Sequence, residues 1–212
     1  TYRIKAGTTR RSYTMERNFA DLEQIMRFTG CEIDKMSPQV SANAIVTGAF
    51  SIMGQDMVLT DDELSGATYE DPAMTAPTVS FRGVLKEGGV ESVAITELSL
   101  NLENNLGPCF VIGSQVTQQP SLGVSNASGQ ITAYFNSTSL LEKFLNDTET
   151  SLEVSFTDVA GNLITLILPR IVITAAPPDV KGDGPITLAI PFQALLDTTT
   201  QTNIIVERKA AA

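Results

Sequence analysis

The sequence predicts a mainly β fold, a sandwich or barrel with one or two short α-helices, and three observations support this. Short stretches that alternate apolar and polar residues recur along the 212 residues, separated by glycine, proline, asparagine and aspartate turn signals. Helical periodicity is confined to two brief segments. A two-strand pattern also occurs twice, which indicates a duplicated unit inside one β domain, since a solenoid needs roughly three or more repeats.

The duplicated unit is a strand, a polar loop and a second strand that contains a glycine. The first copy covers about residues 31–54 and the second about residues 93–136. The second copy is longer because of an insertion around Leu106–Asn126. The strands are Ile33–Val40, Val46–Ile52 with Gly48, Ile95–Leu102, and Ser128–Phe135 with Gly129.

The segment before the first unit is expected to contain an arm, a strand and a helix. Residues 1–10 carry three basic and no acidic side chains, and we interpret them as a flexible N-terminal arm. Arg10–Arg17 alternates as a strand does. Asn18 can then cap a helix over Phe19–Phe28, which Gly30 would end because glycine tolerates a left-handed backbone.

Two further segments flank the second unit. Gln55–Gly89 is rich in acidic residues and is interpreted as a long surface loop with a short strand at Thr78–Val84. Asn136–Asn146 predicts a helix, with Ser139 and Glu142 at the spacing of a capping box and four apolar residues on one face. Those apolar residues are Leu140, Leu141, Phe144 and Leu145. The tail predicts strands at Ser151–Thr157, Leu163–Ile173, Ile186–Ala194 and Asn203–Arg208.

Composition excludes several classes of partner. The length favours one domain over residues 11–212, and the net charge of −10 disfavours a surface that grips nucleic acid or anionic lipid. No apolar run approaches the roughly 18 residues that span a bilayer, and the first residues lack the apolar core of a signal peptide. Cys31 and Cys109 are too few for a disulfide framework, which favours a reduced, cytoplasmic origin.

No pattern in the sequence predicts catalysis. The chain has no histidine, which removes Ser/His/Asp and Cys/His nucleophile systems and histidine-ligated metals. The acidic run from Asp56 to Glu63 lacks the spacing of a calcium-binding loop, and no phosphate-binding glycine motif occurs. Nothing selects two carboxylates as the acid and base of a glycosidase. Asn-x-Ser/Thr triplets at Asn126, Asn136 and Asn146 are attributed to chance. We therefore expect no enzyme, metal or cofactor.

Several short motifs, in a fixed order from about Arg10 to Arg208, identify a family. The segments are Ser12–Phe19, Phe28–Gly30, Ala44–Gly48, Glu103–Asn105, Leu140–Leu145, Leu168–Arg170, Pro191–Leu195 and Ile205–Arg208. With these segments in this order, the sequence resembles the major tail tube protein of long, non-contractile tailed bacteriophages.

The resemblance implies a structural protein of the virion tail, assembled in the host cytoplasm. It implies a β-sandwich-like fold whose copies form stacked hexameric rings, through whose lumen DNA is ejected. The implied partners are further copies of the chain, the tape measure protein, the tail-end proteins and the passing double-stranded DNA, with no membrane. The alternative from another class is a monomeric β-sandwich binding or decoration module. Such a module would show exposed aromatic clusters, and aromatics are only 6% of the chain.

A ring also has a physical rationale in the duplicated unit. Two hairpins give a four-stranded sheet with two open edges, and open edges are hazards unless they are paired. If each edge pairs with the next copy, the contact is heterologous and must close by rotation. Four strands from each of six copies would give a barrel of about 24 strands, with a backbone diameter on the order of 50 Å.

Parity along the strands then predicts which side chains face the lumen. Met36, Val40, Leu98, Leu100 and Leu102 share one face and should pack on the core. The residues of opposite parity are expected to line the lumen as a neutral and weakly acidic wall. They are Lys35, Ser37, Gln39, Thr47, Ser51, Glu97, Ser99, Asn101, Glu103, Gln130 and Thr132.

Exceptions to this parity lead to further expectations. Ile33 and Ile95 break the alternation, which predicts a bulge or a strand start near each. Lys35 has the wrong sign for a lumen, and we expect it to pair with Glu97 or Glu103. The long segments Leu106–Asn126 and Gln55–Gly89 are expected at contacts between neighbouring subunits or between rings, because loops of that length usually serve a function.

Overall fold

One large antiparallel sheet, bent back on itself, dominates the computed structural model, which describes residues 1–7, 9–71, 76–80, 83–92, 95–136, 138–176, 178–179 and 185–211. This sheet has fourteen strands within those ranges. They are β1 (Tyr2–Lys5), β2 (Tyr13–Phe19), β3 (Gln24–Ser41), β4 (Thr47–Met53), β5 (Asp56–Thr60), β6 (Gly83–Glu87), β7 (Val90–Glu91), β8 (Ile95–Glu103), β11 (Asn126–Tyr134), β12 (Thr150–Thr157), β13 (Leu163–Ile173), β14 (Pro178–Asp179), β15 (Thr187–Ala194) and β16 (Ile205–Lys209). A separate pair contains β9 (Gly107–Cys109) and β10 (Gln118–Ser121), and the described helix is α1 (Ser139–Leu145). The mainly β fold is confirmed.

The two repeated units form the sheet that the sequence predicts. In the first, β3 pairs with β4, and in the second, β8 pairs with β11, both antiparallel. The units are joined because β3 also pairs with β8, which gives the order β4-β3-β8-β11. The prediction of two open edges is wrong, however. β11 pairs along its length with β15, so β4 alone of these strands has an edge without a partner among the described residues.

The core lies between two layers of the bent sheet. One layer contains β8 and β11, the other contains β12 and β13, and β15 connects them by pairing with both β11 and β13. Alternate residues of each strand point inward, as expected for strands buried on one face. The most deeply buried core side chains include Ile131, Leu152, Ile171, Leu188, Ile190 and Phe192.

The predicted helix over Phe19–Phe28 is wrong, because those residues form a β-hairpin. β2 and β3 pair directly across the turn, with Phe19 opposite Gln24. The supposed apolar face of the helix is divided, since Leu22 is exposed in the turn and Ile25 is buried. Three apolar residues at helical spacing are a weak signal, and β3 gains pairing on both sides from β2 and β5. Gly30 has a φ of +61° at a bulge inside β3 rather than at a helix end.

The acidic segment Gln55–Gly89 is not one loop. Asp56–Thr60 forms β5 and pairs with the first half of β3. The loop that follows carries five acidic side chains, at Asp61, Asp62, Glu63, Glu70 and Asp71. The short strand expected at Thr78–Val84 is displaced, since β6 begins at Gly83, and residues 81–82 lie outside the described part of the chain.

The helix predicted after the second unit is present, but it is shorter than expected. It spans Ser139–Leu145, and its N-cap is Thr138 rather than Ser139, so the predicted capping box is wrong. Thr138 Oγ1 instead donates to Glu142 Oε1 over 2.6 Å. Leu140, Leu141 and Phe144 pack against the core as predicted, whereas Leu145 is exposed.

The tail strands lie close to their predicted bounds, as β12, β13, β15 and β16. The predicted Asp158–Asn162 turn closes with a hydrogen bond of 2.8 Å from the Asn162 backbone N–H to Asp158 Oδ1. Residues 182–184 of the predicted Gly182–Pro185 turn lie outside the described residues. Alternation with a period of two is a strong signal in these segments, because each strand buries only one face.

The basic N-terminal arm docks on its own chain. β1 pairs antiparallel with β16, and the Arg3 guanidinium forms an ion pair with Glu207. Further along, Arg10 forms an ion pair with the buried Glu32 over 2.7 Å. The attraction of a cationic arm to an acidic body is therefore satisfied within one subunit. Mobility of the arm in solution stays a prediction.

Candidate functional site

A polar sheet face is the first part of the candidate site. The residues predicted to face the lumen all lie on β3, β4, β8 and β11. The register of these strands places them on one face of the sheet. Cross-strand rows are Thr47–Gln39–Ser99–Gln130, Ser51–Lys35–Glu103, and Glu97–Thr132. Between them, Ser37 Oγ donates to Asn101 Oδ1 over 3.2 Å. The face is therefore continuous across four strands.

The opposite face of the same strands packs on the core, as the parity predicts. Leu98 and Leu100 are buried in the core cluster. Met36, Val40 and Leu102 pack against that cluster from its margin. Because successive side chains of a strand alternate between faces, the polar residues must point away from the core.

Both predicted irregularities are present. The β3–β4 register shifts between Ile33 and Lys35, and β8 begins at Ile95. A second shift in the β8–β11 pairing lies between Thr132 and Ala133. A bulge moves the parity by one residue, which explains why Ile33 inside β3 and Ile95 at the start of β8 do not follow the alternation of the residues after them.

Charge on the polar face is nearly balanced. Lys35 Nζ lies 2.8 Å from Glu103 Oε1, which confirms one of the two predicted partners. This hydrogen bond and the ammonium charge lower the pKa of Glu103, and the carboxylate raises the pKa of Lys35. Glu97 Oε2 accepts a hydrogen bond of 3.2 Å from Thr132 Oγ1. Glu97 is thus the remaining net charge among the predicted lumen residues, and most of the −10 lies elsewhere.

The Lys35–Glu103 pair leads to a titration prediction. In Lys35→Met, the pKa of Glu103 should rise toward its ordinary value of 4.5, because the hydrogen bond from the Lys35 ammonium, the main cause of the lowered pKa, is lost. In the natural chain, a lowered carboxyl pKa contributes stability above pH 4.5 that is lost as the pH falls through the lower folded value. A carboxyl-carbon NMR titration measures the shift. An unchanged Glu103 pKa would mean that the ion pair does not persist in solution.

The free edge of β4 is the second part of the site. Its sequence, Thr-Gly-Ala-Phe-Ser-Ile-Met, has no charged residue or proline to discourage pairing. Phe50 lies opposite Met36 in the register, yet it is 59% exposed, and Ile52 is 40% exposed. β4 thus extends the core-side face of the sheet beyond the layer that covers it. Sequence parity places both side chains on that face but does not reveal that β4 lies past the edge of the core.

The insertion between β8 and β11 is the third part, and we call it the finger (residues 106–126). β9 and β10 pair within it, and its tip at Phe110–Val116 carries exposed apolar side chains. The finger contains no charged residue, although the chain as a whole is 18% charged. Depletion of charge is typical of the centre of protein interfaces. The contact predicted for this segment from its length stays a prediction.

The described part of the chain contains no group of side chains that could hold a metal ion and no helix that could span a membrane. No three acidic or cysteine side chains converge as metal ligands within the ranges given above. The helix found there, α1, is far too short to cross a bilayer. Cys31 and Cys109 are both free thiols.

The fold and the site together define a mainly β protein with a polar sheet face, an uncharged open edge and an apolar finger. Comparison with protein families gives the particular assignment: residues 4–194 match the model of the phage tail tube protein family. The chain belongs to that family and is a structural component of a phage tail that self-associates into a tube. No curated protein sequence matches the chain significantly.

Proposed function

We propose that the chain polymerises as stacked hexameric rings into the tail tube of a long, non-contractile phage tail, and that the tube conducts DNA during ejection. The observation that carries this proposal is the polar face of β4-β3-β8-β11, which is continuous, close to neutral in net charge and directed away from the core. An antiparallel sheet with one solvated face and one face packed on the core can form the wall of an aqueous channel.

The chemistry of the face suits the passage of DNA. Basic side chains bind DNA by releasing the counterions that surround its phosphates. Lys35 is the basic residue among the proposed lumen positions, and its ammonium is held by Glu103. Glu97 leaves one net negative charge per copy, or about six per hexameric ring. The duplex would therefore meet weak, uniform repulsion and no site at which it could stick.

The open edge of β4 supports ring closure. In a free subunit, an uncharged edge strand with exposed Phe50 and Ile52 is prone to aggregation. In an assembly, the same edge would be covered by a neighbouring copy. Because β15 covers β11, the edge of β4 would meet the β11–β15 side of the next copy rather than a second open edge. Different surfaces then meet at each contact, and such a contact closes into a ring when the rotation permits.

The further partners follow from the same proposal. The tape measure protein and the tail-end proteins would contact the tube, and assembly would take place in the host cytoplasm before the tail joins the virion. Support for these partners comes from the resemblance to the tail tube proteins of non-contractile tails. The polar face itself offers no cluster of basic side chains to hold DNA before ejection.

Negative-stain microscopy of the purified protein separates this proposal from the alternative of a monomeric binding or decoration module. Tubes or stacked rings of uniform diameter support the proposal. Dispersed particles that fail to polymerise over a wide range of concentrations would support the alternative.

A pair of lysines on the polar face should retard DNA. Gln39 and Ser99 are register partners and both are exposed, so Gln39→Lys with Ser99→Lys should fold and form tubes. Virions that carry the double variant should eject DNA more slowly, with the largest delay at low salt, because about twelve added charges per ring would bind phosphates. Ejection is followed by the fluorescence of a dye that binds released DNA.

The matched control is Ser99→Gln with Gln39 retained, which adds bulk without charge and should leave the ejection rate unchanged. A loss of folding in the lysine variant alone would show that the two positions are buried and that the assignment of faces is reversed. Normal ejection at low salt would show that these side chains do not meet DNA.

A further inference from the structure

One edge of β3 has a gap between two neighbouring strands. β5 and β4 follow each other along the opposite edge, so β2 and β8 share this one. The pairing with β2 reaches Cys31, which lies opposite Tyr13, and the pairing with β8 begins only at Lys35. Within the residues that the structure describes, no strand therefore lies beside Glu32–Asp34 on this edge.

The base of the finger occupies one part of this gap. The Asn104 N–H donates to the Asp34 carbonyl over 2.7 Å, and the Leu106 N–H donates to Asp34 Oδ1 over 2.8 Å. Asn104 Nδ2 donates to the Ile33 carbonyl over 3.0 Å. Backbone groups of β3 that pair with no strand are thus satisfied by the finger and by the residue that leads into it.

Arg10 lies at the Glu32 end of the gap and contacts two segments at once. Its guanidinium donates to Glu32 Oε2 through Nε over 3.1 Å and through a terminal nitrogen over 2.7 Å. The same terminal nitrogen donates to the carbonyl of Pro120, a fully buried residue of β10. The other carboxylate oxygen, Glu32 Oε1, accepts a hydrogen bond of 3.3 Å from Gln119 Nε2. One ion pair therefore joins β3, the finger and the pre-β2 segment (residues 9–12).

Burial makes this pair sensitive to the loss of its cation. The Glu32 side chain is 7% exposed, the lowest value among the ion pairs of the described ranges. A buried ion pair adds little net stability over an apolar pair, but a buried carboxylate that loses its partner is strongly destabilising. Loss of Arg10 would also leave the buried Pro120 carbonyl without this donor, at a further cost.

We propose that Arg10 and Glu32 form a latch that holds the pre-β2 segment and the finger closed on β3 as one cooperative unit. When Arg10 leaves, the Glu32 carboxylate is unpaired, and water reaches it when β10, which contacts it through Gln119, moves away. When β10 moves away first, Arg10 loses the Pro120 carbonyl. Each opening favours the other, and such coupling is reciprocal. The latch belongs to the single subunit and does not depend on tube formation.

The latch makes the position of the finger depend on the N-terminal part of the chain. Thr117 is buried and ties β9 to β10, because its hydroxyl accepts a hydrogen bond of 2.8 Å from the Cys109 N–H and donates one of 3.0 Å to the Cys109 carbonyl. The two strands therefore move together as a hairpin. A partner that draws the pre-β2 segment away from β3 would release this hairpin without touching it.

Hydrogen exchange of the full-length, unassembled protein, followed by NMR, tests the latch. In Arg10→Met, the amides of Asn104 and Leu106, which bond to β3, should exchange about a hundredfold faster than in the natural chain, because the unpaired carboxylate favours the open state. Amides of the core strands β12 and β15 should keep their natural rates. Arg11→Met is the matched control, since Arg11 is the next residue, is exposed and carries the same charge. It should leave every rate unchanged.

The double variant Arg10→Met with Glu32→Gln identifies the cause. It leaves no charge buried, so the Leu106 amide should return to within about tenfold of its natural rate. Unchanged exchange in Arg10→Met would overturn the latch. So would faster exchange that Glu32→Gln does not reverse, or that spreads equally to β12 and β15. If Arg10→Met fails to fold, recovery of folding in the double variant supports the latch, and failure of both overturns it, since the pair would then hold the whole subunit.

Discussion

Phe50→Lys is expected to fold normally and to remain as single subunits at concentrations where the natural protein polymerises. Phe50 is more than half exposed, so a lysine there costs the isolated subunit little. In a ring, the same ammonium would be buried against a neighbour without a partner, which costs several kcal/mol. The concentration needed for assembly should rise by about a hundredfold or more. Sedimentation and microscopy measure the assembled fraction.

Val159→Lys is the matched control for this edge. Val159 has a similar exposure in the β12–β13 turn, and the substitution changes the net charge equally. It should polymerise as the natural chain does. Normal tubes from Phe50→Lys would show that the edge of β4 is not buried between subunits, and ring closure would have to use another surface.

Gly129→Ala is expected to destabilise the subunit by about 3 kcal/mol, near the upper end of overpacking substitutions. A Cβ at this position would lie 2.3 Å from the Ser99 carbonyl oxygen and 2.6 Å from Phe192 Cζ. The carbonyl belongs to the β8–β11 ladder and cannot move without breaking it, and the Phe192 ring is held in the core. Urea unfolding followed by circular dichroism gives the change in the free energy of unfolding.

The equivalent glycine of the first unit provides the control. A Cβ at Gly48 would lie 3.6 Å from its nearest neighbour, Pro38 Cα, which is ordinary contact. Gly48→Ala should therefore change the free energy of unfolding by less than about 1 kcal/mol. Equal losses for both variants would mean that the glycines serve a common backbone role rather than the packing of Phe192 on β11.

The repeated units and the polar face could be predicted because apolar and polar residues alternate with a period of two, which shows which residues share a face of the strand. Leu98, Leu100 and Leu102 alternate with Glu97, Ser99 and Asn101, and only one register buries the first set. The Lys35–Glu103 pair was likewise accessible, because an isolated cation on a polar face needs an acidic neighbour. These features depend on the order of residues within short segments, and this order can be read from the sequence alone.

Features that depend on distant pairing were not accessible. The alternation of Leu188, Ile190 and Phe192 indicates a strand but does not say that the strand lies on β11 and covers its edge. The spacing of Leu22, Ile25 and Met26 fits a helix as well as a hairpin. The hairpin forms because β3 also pairs with β5, on the side opposite β2. A sequence of 18% charged residues also does not show where its charge lies. The polar face is nearly neutral, whereas the loop after β5 is strongly acidic.

A cryo-electron microscopy reconstruction of tubes grown from the purified protein tests the central claim most directly. The account predicts a closed wall in which Ser99 and Gln130 face the lumen and Phe50 lies against a lateral neighbour. A tube whose lumen is lined by helix α1, or by the opposite face of β8 and β11, would contradict it.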